Sequence, residues 1–162
     1  MSNTPRDTPG DTPRDTLTVE RLIAAPPSAI FDLLADPARH REIDGSGTVR
    51  DADAGSQRLT LGSTFGMAMQ KGFGYRMINT VVEFEDDRVI AWQPRPAIKL
   101  LGLAIGGRIW KYELEPQAGG TLVKETWDIR QEKVPMMVRP MAKGAKRGME
   151  ATLERIERIV AK

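Results

Sequence analysis

The chain has 162 residues, 40% of them apolar and 28% charged, with a formal net charge of +2; this suits one globular domain with a single core and gives little reason to expect a nucleic-acid partner. It contains no cysteine and a single histidine, His40, which excludes disulfide frameworks, thiolate metal sites and thiol nucleophiles and makes any Ser-His-Asp triad depend on that one residue. No metal and no cofactor is therefore expected. No apolar run approaches the ~20 residues of a membrane-spanning helix, and the polar, proline-rich start is unlike a signal peptide, so a cytoplasmic protein is expected.

Residues 4–16 read TPRD-TPGD-TPRD-T, a repeat of turn formers without a large apolar side chain. Such a segment buries too little surface to offset its ordering entropy. Residues 1–16 are expected to be a disordered tail, and 17–162 the folded domain. Leu17 to Ala25 fits a strand, because no helical period holds across it. Pro26-Pro27 ends it, and Ala29 to Leu34 has the pattern of a short amphipathic helix with proline near its start. Asp36-Pro37 breaks that helix and opens a second, running to about Glu42.

Consecutive strands are expected next, at Val49–Ala54, Gly62–Gln70, Tyr75–Glu85 and Arg88–Gln93. In the second of these, Phe65, Met67 and Met69 share one face. An apolar stretch follows, Ile98 to Ile105 (IKLLGLAI). Arg108–Glu115 alternates, with Trp110, Tyr112 and Leu114 on one side. Gln117-Ala-Gly-Gly120 is a hairpin turn, and Thr121–Arg130 is its partner strand. The chain closes with a helix from about Met137 or Pro140 to Ala161. Met141, Ala145, Met149, Leu153, Ile156 and Val160 recur on one of its faces. This helix is on the order of 35 Å long and is rich in Lys and Arg.

The order is strand, two short helices, about six antiparallel strands and a long C-terminal helix. Arg21-Leu-Ile-Ala-Ala-Pro-Pro-Ser-Ala-Ile-Phe-Asp-Leu-Leu-Ala-Asp-Pro-Ala-Arg-His40 resembles the opening strand and helix-loop-helix of bacterial polyketide cyclase/dehydrase-like members of the START/Bet v1-like (SRPBCC) superfamily. Trp110-Lys-Tyr-Glu-Leu-Glu-Pro and Gly119-Gly-Thr-Leu-Val-Lys-Glu-Thr-Trp127 resemble their late hairpin. The resemblance covers about residues 17–162. It implies an α+β helix-grip fold: a curved antiparallel sheet of six to seven strands around the C-terminal helix, with a ligand cavity between them. The superfamily hosts carriers, receptors, cyclases and chaperone activators, so the fold does not choose the activity.

Within that frame, Met67, Met69, Met77, Trp92, Trp110, Tyr112, Trp127, Met141, Ala145 and Met149 are the expected ligand-lining residues. Methionine adapts to irregular apolar shapes, and buried Trp and Tyr need a partner for their polar atom. The small residues Gly144, Ala145 and Gly148 leave room beside the helix, or else mark close helix–sheet packing. Glu125 is the candidate catalytic residue. It shares a strand face with Val123 and Trp127, so if these point inward it does too. An acid in an apolar cavity has a raised pKa and suits a proton shuttle or ligand anchor; the alternative is a structural carboxylate paired with a neighbouring Arg or Tyr. His40 is a weaker acid/base candidate, because Arg39, Arg41 and Glu42 favour an exposed position.

The expected function is binding, and in one reading transport, of a small hydrophobic ligand such as a lipid or polyketide-like molecule. The alternative is a polyketide cyclase/dehydratase-type enzyme using Glu125, with help from Tyr112 or His40. A protein–protein adaptor would instead have a filled core. The 98–105 stretch is open to three readings: a strand extension or short helix in the core, a lid, or a patch that touches a membrane transiently or forms a homodimer.

Overall fold

The computed structural model describes residues 15–52, 57–103 and 105–161. The described chain builds one seven-stranded antiparallel sheet in the order β1-β7-β6-β5-β4-β3-β2, curved and unclosed, with a helix laid against its inner face. The strands are β1 (Thr16–Ile23), β2 (Val49–Ala52), β3 (Thr64–Lys71), β4 (Phe73–Glu85), β5 (Val89–Pro96), β6 (Ile109–Gln117) and β7 (Gly120–Asp128). The helices are α1 (Pro27–Leu34), α2 (His40–Ile43), α3 (Pro135–Val138) and α4 (Ala142–Val160), with 3-10 turns at Pro37–Arg39, Leu101–Leu103 and Arg139–Met141. This is the helix-grip fold.

Alternation writes the inner face. In β7, Thr121, Val123, Glu125 and Trp127 are buried while the residues between them are half-buried, as the two-residue period of a strand requires. Antiparallel pairing carries that face sideways: Trp127 lies opposite Trp110, Trp110 opposite Trp92, and Trp92 opposite Val81. One row along, Val19, Glu125, Tyr112 and Ile90 line up in the same way. Helix α4 returns Met149, Leu153 and Ile156, each essentially inaccessible. A fully buried side chain of this size contributes about 1.5–3 kcal/mol, so the seam of α4 and the inner face is a large part of the core.

Polar contacts fix where α4 sits. The Arg21 guanidinium donates to Glu157 at 2.7 Å through Nε, tying β1 to the helix. The Gly45 N–H donates to Thr152 Oγ1 at 2.9 Å, and Arg155 donates to the Asp44 carbonyl. At Gly45 any side chain would run into the Gly148 carbonyl and the α4 backbone. Gly148 therefore packs directly against the loop after α2, and Gly144 is exposed, so neither leaves open space beside the sheet.

Several boundaries differ from the sequence reading. The domain begins earlier than Leu17: Thr16 is already in β1, and the buried Asp15 carboxylate accepts from Arg139 Nε at 2.8 Å. The rest of the expected tail, residues 1–14, lies outside the described residues, as do residues 53–54 of the expected second strand. The long C-terminal helix starts at Pro135, a little earlier than expected, and tightens into a 3-10 turn at Arg139–Met141 between α3 and α4. Met141 sits on that turn and is 40% exposed, whereas the helical period had placed it on the buried face.

Candidate functional site

The residues with chemistry lie in the middle of the inner face. Glu125 on β7 is 2% exposed. Its neighbour across the hairpin is Tyr112 on β6, whose hydroxyl donates to Glu125 Oε1 at 2.7 Å. The other carboxyl oxygen, Oε2, is buried and has no hydrogen-bond partner. Burial pushes the Glu125 carboxyl up to about 8, and the Tyr112 bond offsets only part of that. The Tyr112 phenol is raised well above its ordinary range, first by burial and then by the neighbouring Glu125. Near neutral pH the acid is mostly protonated, so Oε2 carries an O–H with no acceptor among its neighbours. An unmade hydrogen bond in an apolar interior costs about 1–3 kcal/mol.

An aromatic run leads away from this pair. The Trp92 ring lies 5.4 Å from Tyr112, tilted by 34°. His40 stacks on Trp92 at 4.9 Å and 23°, and Phe65 meets both edge-on, at 5.4 Å from His40 and 5.9 Å from Trp92. His40 arrives there because Asp36 caps the 3-10 turn through the Ala38 N–H at 3.0 Å and Pro37 starts it, which aims the first residue of α2 inward. The His40 ring Nε2 lies 2.8 Å from the Leu34 carbonyl, and burial lowers its pKa. The expectation of an exposed His40 is therefore wrong: Arg39 and Glu42 pair with each other outside, while His40 and Ile43, one turn apart, face in. That spacing is the signal that would have placed His40 correctly.

The remaining candidates fall into three groups. Trp92, Trp127, Met67 and Met149 are buried, and Trp110, Met69 and Ala145 are partly buried and packed against the core. Met77 lies opposite Met67 and Pro96, half-buried near the strand end. Met141 is exposed, as are its chain neighbours Met136 and Met137, which are not among the expected lining residues. Asn79 is buried and donates to the Phe65 carbonyl at 3.4 Å; Gln70 is exposed. A shallow groove follows the seam between β1 and α4, but Glu20, Arg21, Glu150 and Glu154 give it charged walls.

Sequence reasoning missed Glu132. Its buried carboxylate accepts from the Gly106 N–H at 3.2 Å, the Arg108 N–H at 3.1 Å and Arg108 Nε at 3.2 Å. It pins the base of the β5–β6 connection to the loop after β7. At Gly107 a side chain would collide with the Gln131 carbonyl, so the two loops approach there as closely as backbones allow. The 98–105 stretch rises from this anchored base and is not core: Ile98, Leu100, Leu101 and Leu103 are all at least half exposed. Ala104 lies outside the described residues. Among the described residues no group of three or more His, Asp or Glu could hold a metal ion, and no helix is long and apolar enough to cross a membrane.

Comparison with known proteins places this arrangement. Residues 14–161 match the model of the family described as polyketide cyclase/dehydrase and lipid transport. An uncharacterised protein of Mycobacterium tuberculosis strain H37Rv is 32% identical over 142 residues, which is 83% of this chain. The chain spans only 59% of that relative's length. A crystal structure of a Chromobacterium violaceum protein superposes with a TM-score of 0.71 at 14% identity, covering 91% of this chain and 98% of that one. The di-domain aromatase/cyclase StfQ from the steffimycin biosynthetic pathway gives a TM-score of 0.69 at 10% identity, covering 91% of this chain and 50% of that one. The two structures share the fold, and the family match decides membership: the chain belongs to the polyketide cyclase/dehydrase and lipid transport family.

Proposed function

We propose that this family member binds a small, largely apolar ligand bearing at least one oxygen, held against the inner face of the sheet with Glu125 as its polar anchor. The observation that carries this reading is the orphaned Glu125 Oε2, a buried, mostly protonated carboxyl oxygen among aromatic rings with no acceptor of its own. A carbonyl or hydroxyl oxygen on a ligand would supply that acceptor. Tyr112, committed to Oε1, holds the carboxyl so that its free oxygen is the one presented. The run of Trp92, His40 and Phe65 gives flat rings for an aromatic or polyene-like body to lie on. The family's range, polyketide cyclases or dehydrases and lipid transport, supports ligands of this kind.

One observation favours an enzymatic reading as a second choice. A carboxyl near 8 sits within a unit of neutral pH, where a general acid–base is most effective, and the Tyr112–Glu125 pair puts two proton-bearing oxygens at one point. In that reading Glu125 delivers and recovers a proton at a substrate carbonyl while the aromatic wall orients the chain.

Paired probes test the binding reading. Naphthol and naphthalene differ by one hydroxyl, so the wild-type protein should prefer naphthol by about tenfold, one net hydrogen bond. Glu125→Leu should abolish the preference and leave naphthalene binding intact. Equal binding of the two probes by the wild type would remove Glu125 as an anchor.

A further inference from the structure

Most of the large apolar side chains that face solvent gather at one end of the molecule. This is the end where β1 begins, β7 ends and α4 starts. The 98–103 segment exposes Leu100 by 75% and Leu103 by 68%, and the turn before α4 exposes Met136 by 76% and Met137 by 59%. The two segments touch: Lys133 Nζ donates to the Gly102 carbonyl at 2.9 Å. Their bases are locked by Glu132, so the apolar tips stand on a rigid footing. The tip of the β3–β4 hairpin, with Phe73, lies at the same end of the sheet.

Charge surrounds these tips with one sign. Across residues 97–105 and 133–147 the sequence has six Lys or Arg and no Asp or Glu. Arg139 is paired with Asp15; Lys99, Lys143, Lys146 and Arg147 form no ion pair among the described residues. Lys143, Lys146 and Arg147 fall in the first turns of α4, which has no acidic residue there and no side-chain cap. The N-terminus of a helix is already the positive end of its dipole, where cations are disfavoured and anions favoured. Lys143, Lys146 and Arg147, gathered at that end beside exposed Leu and Met, have no ion-pair partner among the described residues.

We propose that this end of the molecule docks on an anionic lipid bilayer. Leu100, Leu103, Met136 and Met137 enter the boundary between headgroups and acyl chains, and the Lys and Arg side chains meet the lipid phosphates. The depth fits, because interfacial elements bury an apolar face by about 5–10 Å, which a single short turn supplies. Charge selects the bilayer over a second copy of this chain. In a two-fold dimer the same patch meets itself, and Lys99, Lys143, Lys146 and Arg147 would face like charges. Docking does not depend on the ligand assignment, since none of these residues lies on the inner face.

Flotation of the full chain with vesicles tests this directly, using phosphatidylcholine alone and phosphatidylcholine mixed with phosphatidylglycerol. The protein should rise with the phosphatidylglycerol vesicles, stay in solution with the neutral ones, and detach as salt is raised. The double variant Leu100→Asp/Leu103→Asp and the double variant Lys143→Glu/Lys146→Glu should each weaken binding by at least about tenfold. All four residues are exposed, so circular dichroism and melting temperature should not change. Failure to bind anionic vesicles, or undiminished binding by both variants, overturns the proposal. So does light scattering that reveals a dimer which Leu100→Asp/Leu103→Asp separates, because the patch would then be a subunit interface.

Discussion

The inner face of the sheet and the loop end of the molecule are both apolar, and each contains residues that break the rule of its surroundings. Inside, the exception is one carboxyl, Glu125, buried on the inner face and bonded to the Tyr112 hydroxyl. At the loop end, the exceptions are the apolar side chains themselves, held in water by a base that Glu132 anchors. The interior exception costs stability, which the proposed ligand would offset; the surface exception costs little, and the proposed bilayer would cover it. An apolar stretch thus acquires a role from where the chain's contacts leave it, and its composition alone does not distinguish the two cases.

Truncation should separate the regions most sharply. Trp127→Ala removes a large, fully buried side chain from the inner face and should destabilise the domain by about 3–5 kcal/mol, read as a fall in the urea midpoint. A loss under about 1 kcal/mol would mean that the inner face is loosely packed around Trp127.

A smaller effect, of opposite sign, is expected at Glu125. Its folded-state pKa of about 8 lies above the unfolded value near 4.5, so between those values the native state binds more protons than the unfolded state. Stability from this group therefore falls as pH rises from about 4.5 to 8, by on the order of a few kcal/mol. Glu125→Gln should flatten that decline and, at pH 8, make the protein more stable than the wild type by about 1–3 kcal/mol. His40 acts in the other direction: with a folded pKa below 6.5, it costs stability as pH falls below that value. Comparing the variant with the wild type at each pH cancels the histidine contribution. A stability profile that Glu125→Gln leaves unchanged would show that the carboxyl is better solvated than its burial implies.

The smallest effect belongs to the loop end. Leu103→Ser exchanges an exposed side chain for a polar one and should change stability by less than about 0.5 kcal/mol. A larger loss would mean that the loop contributes to the fold and that its exposure is not available for docking.

Much of the interior was legible because its causes are local. Val123, Glu125 and Trp127 share a face through the two-residue period of one strand. The pairing of Tyr112 with Glu125 follows from the tight turn at Gln117–Gly120, since a hairpin's turn fixes the register of both its strands. The buried stripe of Met149, Leu153 and Ile156 follows from the helical period. The stripe does not extend to Met141, which sits on the 3-10 turn before α4, where the tighter three-residue period no longer follows the α-helical face.

Other features have no local cause. The spacing of His40 and Ile43 turns His40 inward despite its charged neighbours, but only the docking of α2 against β5 and β3 reveals that it stacks on Trp92 and meets Phe65 edge-on. Glu132 lies in an unremarkable loop, and only the approach of the β5–β6 connection gives it three donors. The 98–105 stretch was ambiguous among core, lid and interface because hydrophobicity reports a preference for burial without naming a partner. Local pattern in the amino-acid order thus sufficed for the strands, their faces and the β6–β7 hairpin with its short turn. The folded arrangement settles which apolar residues find partners and which are left at the surface, because the contacts involved join segments from 24 residues apart (Arg108 to Glu132) to 52 apart (His40 to Trp92), beyond the reach of any periodic signal.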